Sequence, residues 1–330
     1  MRRHSRVSAL LLASAITCTT YALASSSSST QAVVALSAAI AEDNEQIDML
    51  FRMSGCTHLY LDVGTNIGVQ IRKLYEPSHY AGAPVLPFFR EAFGEPPWCH
   101  VCTIGFEPSP GKRRRLQELQ RRYRAAGAAV LIFHGAASGV DGVTHISGAD
   151  LSAGSTLAGA VAKDADPSRE RQHTLRQQHA VRSIDLSRVL LRAHARLQNA
   201  TLAAAPRRRR GYPILMKLDI EGAEFAVLPA LMRSLALCAV GRLFIEWHEQ
   251  LFDRSRVHAA ANALRLDSRL AAGAGALEGL MRSERERLPM ALANLTRSDD
   301  CGTRVSELDD ETFARDPMPW PKPGIRLCGR

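Results

Sequence analysis

The sequence predicts an α/β fold: a doubly wound, mostly parallel sheet with helices on both faces. Three observations carry that expectation. Short apolar runs alternate along the chain with stretches of helical character. The runs are continuous rather than alternating in polarity, as strands buried on both faces require. Several of them end in glycine or an acid, the places where ligands of such sheets gather.

Taken in order, residues 31–56 form an N-terminal helical segment in which an acidic patch, AEDNEQID, borders an apolar stripe. The strand-turn-helix unit 58–75 follows, HLYLDVGTNIGVQIRKLY. Five prolines in 76–98 predict an irregular excursion. VCTIGFEP (101–108) is a buried strand and 110–126 a basic amphipathic helix. AAVLIFHGAASG (128–139) is a further strand closed by small residues. Polar and charged sequence at about 140–180 reads as a surface insertion, before VRSIDLSRVLLRAHARL (181–197) resumes as strand and helix. YPILMKLDIEGAEFAVLPALMRSL (212–235) is strand, acidic turn and helix, and GRLFIEWHEQLF (241–252) a strand ending in Glu246, His248 and Glu249. The α/β domain therefore runs over 57–252, with 253–330 as a helical extension and proline-rich tail.

The net charge of +9 raises the question of anionic partners. The excess sits in KRRRLQELQRRYR (112–124), RRRR (207–210) and the amino terminus. Tyr123 is the one aromatic in the two internal runs, and aromatics make up only 6% of the chain, so nucleic acid is not expected as a partner. A solvated basic face is the reading adopted for the helix.

Residues 1–30 read as a leader. MRRHSR is cationic, 7–24 is apolar without a charge, ALA at 22–24 has the form of a signal-peptidase site, and a serine tract follows. A cleaved secretory signal is the first expectation. The run is also just long enough to attach the chain to a membrane as an uncleaved anchor, and an organellar transit peptide is the third alternative. Sequons at Asn199 and Asn294 favour a lumenal setting. Beyond Cys18 in the leader, Cys56, Cys99, Cys102, Cys238, Cys301 and Cys328 make an even set suited to disulfides. Cys301 with Cys328 is the expected bridge, and CHVC (99–102) reads as structural cysteines rather than a redox or zinc half-site.

The turn LDVGTNIG lacks the middle glycine of a dinucleotide fingerprint, where Asn66 stands instead. It also lacks the Lys-Ser/Thr of a phosphate-binding Walker loop. Two readings remain: Gly64 and Gly68 simply make a tight strand-to-helix turn, or the turn holds an adenosyl cofactor without phosphates, Asp62 supplying negative charge for a cationic group and Glu107 accepting hydrogen bonds from ribose hydroxyls. MKLDIEGAEFAVL then packs Asp219, Glu221 and Glu224 into one turn, where like charges raise one another's pKa unless a cation or a proton-transfer role compensates.

LDVGTNIG, GFEPSP, HGAASG, GSTL (154–157), MKLDIEGAEFAVL and FIEWHE, in this order, resemble the FkbM-type methyltransferase family over about residues 57–250. The resemblance implies a class I, Rossmann-like, S-adenosylmethionine-dependent methyltransferase that acts on a hydroxyl of a glycan or secondary metabolite. It also implies that Asp62, Gly64, Thr65, Asn66 and Gly68 form the cofactor loop, that Glu107 holds the ribose, and that Ala136 and Ala137 line the adenine pocket. Asp219, Glu221 and Glu224 would form the active-site turn. His248, whose unperturbed pKa lies near neutrality, is the expected general base, with Asp219 or Glu221 next. His134 is expected to be structural. A metal-free site is expected, with Asp219, Glu221, Glu246 and His248 as the set an ion would use. The stretch 76–98 and an insertion near 160–180 depart from the family pattern and are expected to shape the acceptor pocket. The contrasting reading is an inactive methyltransferase-fold module that binds or scaffolds in the secretory pathway. An oxidoreductase, recognised by nicotinamide or flavin binding, is a third.

Overall fold

A computed structural model describes residues 27–147, 156–157, 178–202, 213–248, 287–297, 301–310 and parts of 312–328. The leader (7–24), GSTL apart from Thr156 and Leu157, RRRR and Glu249 lie outside the described residues. Among the described residues no helix is long and apolar enough to cross a membrane.

The central sheet has six parallel strands: β1 (His58–Val63), β2 (Val101–Phe106), β3 (Ala129–Phe133), β8 (Ile214–Leu218), β9 (Arg242–Ile245) and β10 (Arg304–Glu307). Their order is β3-β2-β1-β8-β9-β10, so the chain winds outward on one side of β1 and then outward on the other. β2, β3 and β8 are buried at every residue, which is why each reads as a near-continuous apolar run, interrupted only by Thr103 in β2 and Lys217 in β8.

One face of the sheet is covered by α1 (Ser27–Ser54), α5 (Leu186–Leu202) and α6 (Glu224–Arg233), which bring Ile47, Leu50, Leu190 and Leu228 into a shared core. The other face is covered by α2 (Val69–Tyr75), α3 (Leu86–Phe93) and α4 (Arg113–Ala125) through Leu74, Phe89, Leu119 and Tyr123. α1 is clamped to α5 by charge: Asp48 accepts from Arg192 and Arg196 at 2.7–2.9 Å, and Asp43 from Arg188 at 3.0 Å.

Four expectations change. Residues 76–98 are not wholly irregular, because Leu86–Phe93 form α3, whose proline lies in the first turn, where its missing N–H costs nothing. The polar region after 140 contributes β5 (Gly142–Ser147) and β6 (Thr156–Leu157), which join β4 (Ala136–Ser138) and β7 (Gln178–Asp185) in a second sheet of order β4-β7-β5-β6. The C-terminal extension is no appendage: after a helix at 287–296 it supplies β10, paired parallel with β9. Its tail then crosses α2, where buried Arg72 binds Asp316 at 2.7 Å and Glu76 at 3.1 Å, and buried Lys73 binds Asp310 at 2.9 Å.

The cysteine pairing is the fourth. The bridges are Cys56–Cys102, Cys99–Cys328 and Cys238–Cys301, with Cα separations of 5.6, 5.4 and 4.6 Å. Cys301 therefore pairs with Cys238 rather than with Cys328, because β10 carries it to the sheet edge while the tail runs on to Cys99. The CHVC cysteines are structural, each bonded to a different partner.

Candidate active site

Sheet register builds the site. Val63 lies level with Phe106 and Leu218, Phe106 with Phe133, and Leu218 with Ile245. The next residues, Gly64, Glu107, Asp219 and Glu246, therefore stand side by side along the carboxyl edge. Backbone bonds carry the ladder one step past the strands: Gly64 N–H donates to Phe106 O (3.1 Å), Asp219 N–H to Val63 O (3.0 Å) and Glu246 N–H to Leu218 O (3.1 Å). Gly64 and Asp219 flank the point where strand order reverses, the usual ligand position in such sheets.

Gly64 has φ +94°, and a Cβ there would lie 1.7 Å from the Asp219 carbonyl oxygen, so only glycine lets the two tips meet. Asn66 also takes a left-handed φ, 52°. Its N–H, which a phosphate would need, already donates to Glu107 Oε2 at 2.9 Å, while Glu107 Oε1 accepts from Ser109 N–H at 2.8 Å. Glu107 is thus held rigidly at the edge of the cleft. Burial raises its pKa, and Lys112, with Nζ 3.8 Å away, acts in the opposite direction.

The cleft encloses about 620 Å³, its open mouth included, and is lined by Gly64, Asn66, Glu107, Ala136, Ala137, Asp219 and Glu221. Seven of the sequence-predicted site residues thus meet in one cavity. Phe106, Pro108, Lys112, Ile146, Ile220 and Ala223 complete its wall and were not predicted. Ile146 comes from β5, in sequence read only as insertion. Lys112 is buried although the basic run suggested a solvated face.

Asp62, Thr65 and Gly68 do not line this cleft. Thr65 Oγ1 donates to Asp62 O (2.8 Å) and accepts from Phe106 N–H (3.0 Å), tying the loop to β2. A Cβ on Gly68 would strike the Leu119 side chain, so its absence lets α2 pack on α4. Asp62 is fully buried, with Tyr60 Oη 3.4 Å from Oδ1 and no partner for Oδ2. Burial pushes its pKa up to about 7 against the pull of Lys217. These three residues shape the loop from behind. His134 does not line the cleft either. The excursion 76–98 likewise contributes nothing to the wall, because α3 is spent covering the sheet face around Tyr60 and Trp98. The other departure, 160–180, lies mostly outside the described residues.

At the other end of the cleft, His248 is ringed by acids. Its Nδ1 lies 3.2 Å from Glu224 Oε1, and its Nε2 lies 3.5, 3.6 and 3.7 Å from Glu246, Glu221 and Asp219. Burial alone would lower the imidazole pKa, but hydrogen bonds to Glu224 and Glu246 and the surrounding charge raise it to about 10. The premise that made His248 a neutral-pH base is therefore removed, since the ring already holds its proton. Glu221, at the tip of the turn with φ 53°, has its pKa raised by burial, against the pull of His248. Asp219 Oδ2 accepts from Lys217 Nζ.

The model of the methyltransferase FkbM domain matches residues 62–268, more than half of the chain. A crystal structure of methyltransferase FkbM from Methylobacillus flagellatus KT is similar at 13% identity, over 54% of this chain and 30% of that one, with a TM-score of 0.27. The match thus spans less than a third of that protein's length. No curated protein matches the chain.

Proposed function

Because the chain belongs to the FkbM methyltransferase domain family, we propose that it transfers a methyl group from S-adenosylmethionine to a hydroxyl of a glycan or secondary metabolite. One observation carries the choice of donor. The loop amide that would grip a phosphate is consumed by Glu107, and acids flank the cleft, so the site favours a cationic nucleoside over a pyrophosphate. Gly64 and Asn66 would hold the donor's backbone-facing side, Glu107 its ribose, and the small side chains of Ala136 and Ala137 its base. When bound, the donor supplies an electrophilic methyl group on a sulfonium that leaves without protonation.

What the chain adds is alignment, exclusion of water and a destination for the acceptor's proton. Asp219 and Glu221 line the cleft, and their carboxylates are the acceptors for that proton, since His248 is already protonated. His248 in turn holds the acidic turn together by drawing Glu224, Glu221 and Asp219 around one ring.

Three disulfides and the exposed sequon residues Asn199 and Asn294 support a lumenal or secreted protein, consistent with the leader at 1–30. Isothermal titration with S-adenosylmethionine tests the donor. Wild type should bind, and Glu107→Gln should bind at least about tenfold more weakly. No heat of binding at saturating donor, or binding of NAD instead, would refute the reading. Incubation with methyl-labelled donor and glycan or metabolite fractions then identifies the acceptor.

A further inference from the structure

We propose that the turn after β8 and the end of β9 form a divalent-cation site whose ligands are Asp219 Oδ1, Glu221 Oε2 and His248 Nε2, the ion taking the place of the Nε2 proton, which passes to solvent. The three atoms all lie within 4.8 Å of one another. Nε2 is 3.7 Å from the first oxygen and 3.6 Å from the second. Those separations are too long for good hydrogen bonds. They suit the edge of a coordination shell: ligands about 2.1 Å from one ion stand about 3.0 Å apart at right angles and about 3.4 Å apart in a tetrahedron. Drawing the two carboxylates inward from that 4.8 Å limit closes the set.

A second observation, on the far side of the ring, points to the same place. Glu224 has no exposed surface and its Oε1 accepts from His248 Nδ1 at 3.2 Å and from Ile220 N–H at 2.8 Å. A carboxylate behind an imidazole is the usual support of a metal-bound histidine, fixing the ring so that Nε2 faces the ion. Glu224 Oε2 is itself buried without a hydrogen-bond partner, as is Oε2 of Glu246, whose Oε1 lies 3.5 Å from Nε2. Four carboxylates converge here, and Lys217 answers only Asp219 Oδ2. A doubly charged ion supplies what the cluster lacks.

The donor set names the ion's class. Two carboxylate oxygens with one imidazole suit manganese, iron or zinc better than calcium, which takes oxygen alone. Asp219 and Glu221 also line the cleft, so the ion's remaining positions open toward it. An acceptor presenting a hydroxyl beside a second oxygen would fill two of them. That last step rests on the methyl-transfer reading; the ion site does not.

The test is a manganese titration of the full chain, freed of metal by chelator, with the signal of free Mn²⁺ followed by electron paramagnetic resonance and no methyl donor present. One site per chain is expected in the wild type. Asp219→Asn and Glu221→Gln should each weaken it at least about tenfold. Glu221 is partly exposed at the turn tip, so its variant keeps the test open if Asp219→Asn fails to fold by circular dichroism. No stoichiometric site at about 1 mM Mn²⁺ would overturn the proposal, as would equal affinity in Glu221→Gln and wild type. Donor affinity measured separately tells this failure from failure of the methyltransferase reading.

Discussion

Gly64→Ala separates two physical costs that a glycine turn combines, provided it is read against Gly82→Ala. Both glycines have nearly the same left-handed backbone, φ +94° and +90°, so both variants meet the same conformational penalty, about 1–2 kcal/mol. Gly82 has nothing within 4 Å of an added Cβ, and that penalty is its whole cost. At Gly64 the Cβ would lie 1.7 Å from Asp219 O, and the tips of β1 and β8 would have to part by about 1.3 Å to reach even 3.0 Å. The obstacle is backbone, which cannot swing aside. Overpacking of this kind costs about 1–3 kcal/mol. Weakening the Asp219 N–H to Val63 O bond adds about 1 kcal/mol. Gly64→Ala should thus lose about 3–6 kcal/mol in urea unfolding followed by circular dichroism, against about 1–2 for Gly82→Ala. It should also lose S-adenosylmethionine binding by more than about tenfold, while Gly82→Ala stays near wild type. Equal losses of stability in the two variants would show that tip-to-tip contact is not what requires glycine at Gly64.

Two further predictions concern the frame. Hydrogen bonds from Arg196, with those from Arg192, hold Asp48 at a pKa of about 2, below its ordinary 3.8. A depressed carboxylate stabilises the fold above its unfolded pKa and loses that contribution as pH falls through its folded value. The advantage of wild type over Asp48→Asn, about 1 kcal/mol once the half-exposed arginines are discounted, should therefore be present at pH 7 and fade between about pH 4 and 2. A pH-independent difference in unfolding would exclude the ion pair as its cause. Cys99–Cys328 joins residues 229 positions apart and ties the tail beside Arg72. Replacing both cysteines with serine should cost about 2–5 kcal/mol and open the segment after Asp310 to limited proteolysis, mapped by mass spectrometry; an unchanged melting temperature and cleavage pattern would contradict it.

Much of the frame was legible because parallel strands buried on both faces are near-continuous apolar runs, as VCTIGF, AVLIF and ILMKL are but for Thr103 and Lys217. β10 was not, because RVSE lies on the sheet edge, half exposed, and needs no apolar run. α3 was hidden by flanking prolines whose one helical member, Pro87, falls in the tolerant first turn. The cleft residues Gly64, Asn66, Glu107, Asp219 and Glu221 were legible because register alone aligns strand tips. Ile146 and Lys112 were not, since their burial depends on the second sheet and on Glu107. Nor could sequence give the state of His248: its pKa is set by carboxylates at 219–224 and 246 that meet only after folding. Asp62 misled in the opposite direction. An acid two residues before the glycine reads as a ligand-facing charge, yet alternation along β1 turns it away from the cleft and toward the buried Lys217.

The same geometry would let the proposed phosphate-free donor and the proposed cation share one cleft. A nucleotide site at a strand-to-helix turn works by leaving amide hydrogens free and by the positive end of a long helix. Here α2 has only seven residues, and the Asn66 amide is taken by a carboxylate. Opposing this weak positive end, Glu107, Asp219 and Glu221 all border the cavity. At about 5 Å and an effective dielectric of about 20, each full charge contributes about 3 kcal/mol, against about half of that from a fully developed helix terminus. Lys112 offsets Glu107 in part and Lys217 offsets Asp219 and, at longer range, Glu246, while Glu221 and Glu246 share His248. The sign of the field is therefore negative from the loop to the acidic turn. Such a field would repel a pyrophosphate at one end, attract a sulfonium in the middle, and leave a position at the other end that a divalent ion neutralises better than a single proton does.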